Sequence, residues 1–180
     1  MLYMFLADGF EEVEAIAALD VIRRAGLEIK TVGVNSDTVK GSHNIPVICD
    51  TTADKISFDE TVAGIILPGG MPGTTNLMNN DIVNKFIDLC YENNKLICAI
   101  CAAPMILGRK GLLNGKEAVC FPGFEEELKG AVISEKYICN SDKIITAKGM
   151  GSAIKFGLEI VAELNDKNTA DKLMATLQYS

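Results

Sequence analysis

The sequence is poor in the residues on which several common kinds of functional site depend. It holds one histidine, His43, and no tryptophan in 180 residues. A single histidine excludes zinc sites built on a histidine pair, and no second C-x-x-C accompanies the one formed by Cys98 and Cys101. Positive charge is also in deficit, since the net charge at pH 7 is −7. We therefore expect no metal site and no nucleic-acid partner, which would need a basic face.

Long apolar runs are absent as well. The first ten residues, MLYMFLADGF, lack the basic n-region and the small-residue cleavage site of a secretory signal. Their apolar run is far shorter than the roughly 18 residues that a membrane-spanning helix needs. We therefore expect a cytoplasmic protein without a membrane partner. In that reducing compartment the six cysteines should be mostly free thiols.

What the sequence does contain is a regular alternation of apolar strands and helices. With 48% hydrophobic residues and no linker or repeat, the chain is most simply one domain over residues 1–180. Strands are predicted in LYMFLA (2–7), LEIKTVGV (27–34), IPVIC (45–49), VAGIIL (62–67), KLICAI (95–100), AVISEKYICN (131–140) and KIITAKG (143–149), with SEK (134–136) and NSDK (140–143) as turns. Helices are predicted from an Asp8 N-cap to about Ala25, from Asp81 to Asn93, from Ser152 to Leu164 and from Thr169 to Leu177. This order predicts an α/β fold with a mostly parallel sheet and helices on both faces.

In a sheet of this kind, functional sites form where strands end and helices begin. Three such junctions carry unusual residues, at 7–9, 68–73 and 100–102. We expect the chemistry of the protein to lie where these junctions converge.

Cys101 lies at the end of a predicted buried strand, and Pro104 suits the first turn of the helix that follows. Ala102 and Ala103 are small, as a sharp strand-to-helix turn requires. The arrangement is similar in mechanics to the nucleophile elbow of serine hydrolases, with sulfur in place of the hydroxyl. Amides aimed at the sulfur would favour the reactive thiolate. Cys98 lies inside the strand and is predicted to be a small buried hydrophobic residue.

Glu14 is a carboxylate on an apolar helix face. Its helical neighbours are apolar or small: Phe10, Ala17, Ala18 and Val21. Burial would raise the pKa of this acid and make it a proton donor or acceptor near neutral pH. The alternative is a partly solvated acid near a helix start.

The glycine-rich turn LPGGMPG (67–73) matches neither a Rossmann nor a P-loop motif, so it predicts no nucleotide cofactor. Alone, it is compatible with a simple tight turn. Beside an elbow cysteine, its amides would hold a developing oxyanion. Gly70 and Ala102 are the predicted donors.

Four separated motifs together resemble the ThiJ/PfpI superfamily, and in particular the branch of the parkinsonism-associated protein deglycase and its bacterial relatives. The motifs are GFEEVEAIAALDVIRRAG (9–26), VAGIILPGGMPGTTNL (62–77), LICAICAAPMIL (96–107) and IITAKGMGSAIKFGLEIV (144–161). The resemblance implies a three-layer flavodoxin-like sandwich and a homodimer. It also implies cofactor-free activity as a glutathione-independent glyoxalase or deglycase.

The resemblance assigns roles to individual residues. Cys101 would be the nucleophilic, oxidation-prone cysteine, and Glu14 the acid that hydrogen-bonds its sulfur. Gly69, Gly70 and Ala102 would frame the site.

Two basic residues also correspond to positions of interest in the resemblance. Arg24 stands where this branch often has a basic residue near the pocket. His43 stands where the family commonly has arginine or histidine close to the partner subunit's site.

The sequence departs from the family pattern at one point. Relatives often have a histidine before the proline in the segment corresponding to AVCFPG, but here Phe121 precedes Pro122. The protease branch tends to place a histidine directly after the cysteine, where this chain has Ala102. A Cys-His-Asp/Glu triad is therefore absent, which makes a peptidase or amidase function a weaker hypothesis.

The sequence is compatible with three functions. The first is conversion of 2-oxoaldehydes such as methylglyoxal, or of glycated adducts, to hydroxy acids, with Cys101 as nucleophile and Glu14 as general acid and base. The second is an oxidative-stress sensor or redox-regulated chaperone that acts through oxidation of Cys101. The third is a cysteine hydrolase with an unrecognised base.

Overall fold

The apolar strand segments assemble into one seven-stranded sheet in the computed structural model, which describes residues 1–179. Besides this sheet, the described residues form two small two-stranded sheets, β3-β4 and β8-β9. The strands are β1 (Leu2–Leu6), β2 (Ile29–Gly33), β3 (Thr38–Lys40), β4 (Pro46–Ile48), β5 (Thr51–Thr52), β6 (Gly64–Leu67), β7 (Leu96–Ile100), β8 (Glu117–Ala118), β9 (Val132–Ile133), β10 (Ile138–Ser141) and β11 (Ile144–Ala147). The α-helices are α1 (Glu12–Arg24), α2 (Gly73–Met78), α3 (Asp81–Glu92), α4 (Pro104–Arg109), α5 (Ala153–Leu164) and α6 (Lys167–Thr176). None of the helices in this part of the chain is long and apolar enough to cross a membrane.

The sheet has the order β10-β11-β7-β6-β1-β2-β5, and only β10 runs antiparallel to its neighbour. β1 lies between β2 and β6, so that Met4 pairs with Thr31 on one side and Ile66 on the other. The chain therefore builds outward from β1 in both directions. Such a reversal of strand order opens a crevice at the carboxyl ends of the strands.

Helices cover both faces of the sheet because the strands are apolar on both sides. On one face, Phe10 and Phe156 belong to a cluster formed with α1 and α5. On the other, Phe5 and Phe86 belong to a cluster formed with α3 and α4. All four rings are at most 3% exposed. The predicted α/β sandwich is confirmed.

Two local predictions are corrected by the structure. The N-cap of α1 is Glu11, whose carboxylate accepts a hydrogen bond from the Glu14 amide, and not Asp8. Asp8 instead accepts a hydrogen bond from the amide of Lys40. The strand predicted in IPVIC does not join the main sheet, since β3 and β4 form a separate antiparallel hairpin.

Candidate active site

The three predicted junctions do converge at the carboxyl ends of β1, β6 and β7. The Glu11 amide donates to the Gly69 carbonyl at 2.9 Å, which ties the start of α1 to the turn after β6. A Cβ on Gly69 would lie 2.6 Å from the Cβ of Cys101 and 2.7 Å from Oε2 of Glu14. Only glycine allows the turn, the cysteine and the acid to approach this closely.

Cys101 occupies a left-handed backbone conformation, with φ of +65°, between β7 and α4. Its amide donates to the Ala147 carbonyl and its carbonyl accepts from the Phe121 amide, at 2.9 and 2.8 Å. These two bonds hold a conformation that costs a non-glycine residue on the order of 1 kcal/mol. Cys101 is also the only one of the six cysteines that is not buried, whereas Cys98 is completely buried in β7.

Glu14 is 1% exposed and turns toward the sheet, as its apolar neighbours predict. The Gly69 amide donates to Oε2 at 2.9 Å, while Oε1 has no hydrogen-bond partner among residues 1–179. Burial raises the pKa of this carboxyl to about 7, although contacts with Cys101 and the Gly69 amide act to lower it. The group can therefore both hold and release a proton near neutral pH.

The Cys101 thiol is neutral at rest. Burial raises its pKa to about 12, and the neighbouring Glu14 carboxylate acts in the same direction. The amides of Gly70 and Ala102 lower the pKa, but they do not outweigh burial. The amides therefore favour the thiolate, as predicted, but burial and the Glu14 carboxylate outweigh them. α4 contributes little to the field at the sulfur because it has only six residues and begins at Pro104, which lacks an N–H.

The side of the site opposite the glycine turn is formed by Phe121, Gly149 and Met150, to which the sequence assigned no role in the site. A Cβ on Gly149 would lie 3.2 Å from the Phe121 ring and 4.0 Å from Oε1 of Glu14. The backbone of Met150 also contacts Glu14 and lowers its pKa. The signal for Gly149 and Met150 was their position soon after β11, a fourth strand whose carboxyl end lies at the same edge of the sheet.

The whole chain resembles known proteins in both sequence and structure. Residues 1–163 match the DJ-1/PfpI family. The chain belongs to the DJ-1/PfpI family. It is 31% identical over 173 residues to Protein dj-1beta of Drosophila melanogaster, covering 94% of this chain and 92% of that protein. It is 28% identical over 169 residues to a Caenorhabditis elegans protein named glutathione-independent glyoxalase DJR-1.2, covering 93% and 89%.

A solved structure supports the same assignment. Oxidized DJ-1 of Toxoplasma gondii superposes with a TM-score of 0.94 at 34% sequence identity, over 99% of this chain and 98% of that one. The flavodoxin-like fold and the place in the DJ-1 branch of the family are thereby confirmed.

Arg24 does not reach the site within one chain of this DJ-1/PfpI protein. It lies ten residues after Glu14 on the same helix, which corresponds to about 15 Å along the axis. Its guanidinium is exposed and binds Asp20 at 2.6 Å. The predicted role in substrate binding is therefore not supported by this geometry.

His43 lies in the loop between β3 and β4, where it contacts Glu12. Its amide donates to Oε1 of Glu12 at 2.7 Å, and its Nδ1 lies 3.1 Å from Oε2. These bonds, with one from the Ile45 amide, lower the pKa of Glu12 to about 2 even though burial acts to raise it. The contact anchors a loop to α1, and His43 is not among the groups that shift the pKa of Cys101 or Glu14.

Glu11, Glu12 and His43 are the one group in residues 1–179 with the composition of a metal site. Their potential ligand atoms lie within 4.8 Å of one another. However, both oxygens of Glu12 already accept hydrogen bonds from the loop, and the His43 side chain is 73% exposed. This cluster therefore has the character of a loop anchor.

Proposed function

We propose that this protein is a cofactor-free glyoxalase that converts 2-oxoaldehydes such as methylglyoxal to 2-hydroxy acids. The observation that carries the proposal is Glu14, a buried acid with a pKa of about 7 whose carboxyl group contacts the Cys101 thiol. A single group of this kind can move one proton between neighbouring atoms of a bound substrate.

The reaction begins with addition of the sulfur to the aldehyde. As the bond forms between Sγ of Cys101 and the aldehyde carbon, the thiol proton passes through Glu14 to the aldehyde oxygen. The product of this step is a hemithioacetal. Because Glu14 removes the thiol proton during the attack, the high pKa of the resting thiol does not prevent the reaction.

Glu14 next removes the proton from the carbon bound to sulfur and returns it to the adjacent carbonyl carbon. The hydroxyl proton of the hemithioacetal moves to the oxygen of that carbonyl, so that the first oxygen becomes the thioester carbonyl and the second becomes a hydroxyl group. The first carbon is oxidised and the second reduced, so no external oxidant or reductant is needed. The resulting thioester is hydrolysed by water, which releases the hydroxy acid and restores the thiol. Methylglyoxal and water thereby yield lactate.

The amides of Gly70 and Ala102 stabilise the negative charge that develops at the substrate oxygen. Both interact with Cys101 and lower its pKa, so they point to the place where that charge appears. The glycine at position 70 has a φ of +87°, a conformation that directs its amide into the site.

The test is loss of methylglyoxal and formation of lactate in glutathione-free buffer. We expect turnover in the wild type, none in Cys101→Ala, and at least a hundredfold reduction in Glu14→Gln. Cys98→Ala is the matched control because it removes the other cysteine of the C-x-x-C and should keep most of the activity. No turnover by fully reduced wild-type protein would contradict the proposal.

A second function is favoured by the exposure of the cysteines. Cys101 alone among the six is not buried, so oxidants in solution reach it first. A sulfinic acid at Cys101 would replace the thiol that contacts the Glu14 carboxyl group, which, when protonated, can donate a hydrogen bond to it. Mass spectrometry after peroxide treatment should find oxidation at Cys101 in the wild type and much less in Glu14→Gln. Equal oxidation in the two proteins would count against a sensor built on this pair.

We also propose that the protein is a homodimer. Exposed apolar side chains project from α1 and from the β3–β4 hairpin, which Glu12 joins: Val13, Ile16, Ile45 and Ile48. Ile48 is 81% exposed. A patch of this kind is typical of a protein interface.

A further inference from the structure

A cleft of about 280 Å³ lies beside the candidate active site and is not used by the reaction proposed above. Its wall is formed by Phe121, Pro122, Tyr137, Lys148, Gly149 and Met150. It adjoins the site through Gly149, whose Cβ position lies 4.0 Å from Oε1 of Glu14, and through Phe121, whose amide binds the Cys101 carbonyl. The volume is near the lower end for small-molecule sites, roughly 300 Å³, and suits one substituent of a substrate.

The cleft carries one positive charge without an acidic partner. Lys148 is half-buried, and within residues 1–179 no carboxylate forms an ion pair with its ammonium group. That group lies 5.6 Å from the centre of the Tyr137 ring, within the range of a cation–π contact. By contrast, Lys136 pairs with Glu117 and Lys143 with Glu163. The ammonium group of Lys148 is therefore positioned by the Tyr137 ring and can form an ion pair with an anionic group of a ligand.

The rest of the cleft is largely apolar. Phe121 and Met150 are 47% and 54% exposed, although both side chains are large and hydrophobic. A flat apolar group placed between them would remove this surface from water at a gain of about 25 cal/mol per Å². Phe121 also has no titratable group, so this wall selects by shape and contact rather than by proton transfer.

We propose that this cleft binds the substituent of the 2-oxoaldehyde and selects substituents that are apolar or aromatic and end in a carboxylate. The proposal rests on the proposed function, because Cys101 and Glu14 supply the chemistry while the cleft supplies the selectivity. The apolar part of the substituent contacts Phe121 and Met150, and the carboxylate pairs with Lys148. Methylglyoxal has only a methyl group at this position and leaves the cleft unused.

The test compares two substrates that differ only in the carboxylate, 4-carboxyphenylglyoxal and phenylglyoxal. We expect the ratio of their kcat/KM values to favour the carboxylated substrate and to fall about fivefold or more in Lys148→Met. Lys148→Arg keeps the charge and should retain most of the ratio. Lys85→Met, which removes an exposed lysine of α3, is the matched control and should keep the wild-type ratio. An unchanged ratio in Lys148→Met would overturn the proposal.

A binding experiment separates this proposal from the proposed function. 4-Acetylbenzoate and acetophenone match the two substrates in shape but lack the aldehyde, and their binding can be followed by NMR titration. Tighter binding of 4-acetylbenzoate that weakens about fivefold in Lys148→Met supports the cleft even if no aldehyde is turned over, an outcome that would overturn only the glyoxalase. Turnover of aldehydes together with 4-acetylbenzoate binding that is unchanged in Lys148→Met would overturn only the proposed role of the cleft.

Discussion

At the scale of single residues, burial of Glu14 links protonation of the site to stability of the fold. The pKa of this carboxyl is raised from 4.5 to about 7 in the folded protein, so the folded state holds the proton more tightly than the unfolded chain. The resulting stabilisation is complete below pH 4.5 and is lost as the pH rises through 7. The difference corresponds to about 3 kcal/mol of unfolding free energy.

Glu14→Gln removes this titration. We therefore expect the unfolding free energy of the variant, relative to the wild type, to rise by up to about 3 kcal/mol between pH 4.5 and pH 8. Urea denaturation of reduced protein at several pH values measures it. Glu92→Gln, at an exposed position on α3, is the control and should run parallel to the wild type. Parallel curves for Glu14→Gln would show that Glu14 has no raised pKa.

Gly69 is a second residue whose identity the site depends on. In Gly69→Ala the new methyl group would lie 2.6 Å from the Cβ of Cys101, so the cysteine, the acid or the turn must move. We expect a loss of about 1–3 kcal/mol in stability and at least a tenfold loss of methylglyoxal turnover. Gly26→Ala, at the far end of α1 with a φ of +74°, is the control for strain alone. Comparable loss of turnover in both variants would assign the effect to general destabilisation.

At the scale of elements, Glu12 joins α1 to the β3–β4 hairpin. Hydrogen bonds from the loop lower its pKa to about 2, so its stabilising contribution is present above pH 4.5 and is lost as the pH falls through 2. Gly41 lies so close to this carboxyl that any side chain there would collide with it. The hairpin is therefore positioned by one buried acid of a neighbouring helix.

Glu12→Gln should lower the unfolding free energy at pH 7 by about 1–3 kcal/mol because charge-assisted hydrogen bonds are lost. The difference in unfolding free energy between the wild type and the variant should become smaller as the pH falls below 4.5. Amide hydrogen exchange at His43, whose N–H binds Glu12, should become faster in the variant. Unchanged exchange at His43 would show that Glu12 does not hold the loop.

At the scale of the whole molecule, the proposed dimer depends on the apolar patch of α1 and the hairpin. Ile48→Glu places a charge at its most exposed position and should convert a dimeric wild type to a monomer in sedimentation velocity. Ile133→Glu changes an exposed isoleucine of β9, away from this patch, and should leave the dimer intact. A wild-type monomer at micromolar concentration would contradict the proposal.

Local patterns were enough to predict most of the fold and the centre of the site. Apolar strands alternating with helices predicted the layered α/β architecture, and their ends predicted the edge at which the junctions meet. Cys101 and Glu14 were found because each breaks a local rule, one as a cysteine in a tight turn and the other as an acid on an apolar face. The N-cap of α1 was assigned to the wrong residue because aspartate is the more typical cap, whereas in the folded chain Asp8 binds the Lys40 amide and Glu11 caps the helix.

Tertiary structure alone decided the protonation state of the site and the wall opposite the glycine turn. The pKa values of Cys101 and Glu14 depend on burial and on each other, and neither quantity is a property of a short segment. Lys148 and Gly149 reach the site because β11 pairs with β7, which brings the end of a distant strand beside Cys101. Phe121 reaches it because its amide binds the Cys101 carbonyl. The distance of Arg24 from the site was likewise not evident from its motif. It lies ten residues after Glu14 on α1, which corresponds to about 15 Å along the helix axis.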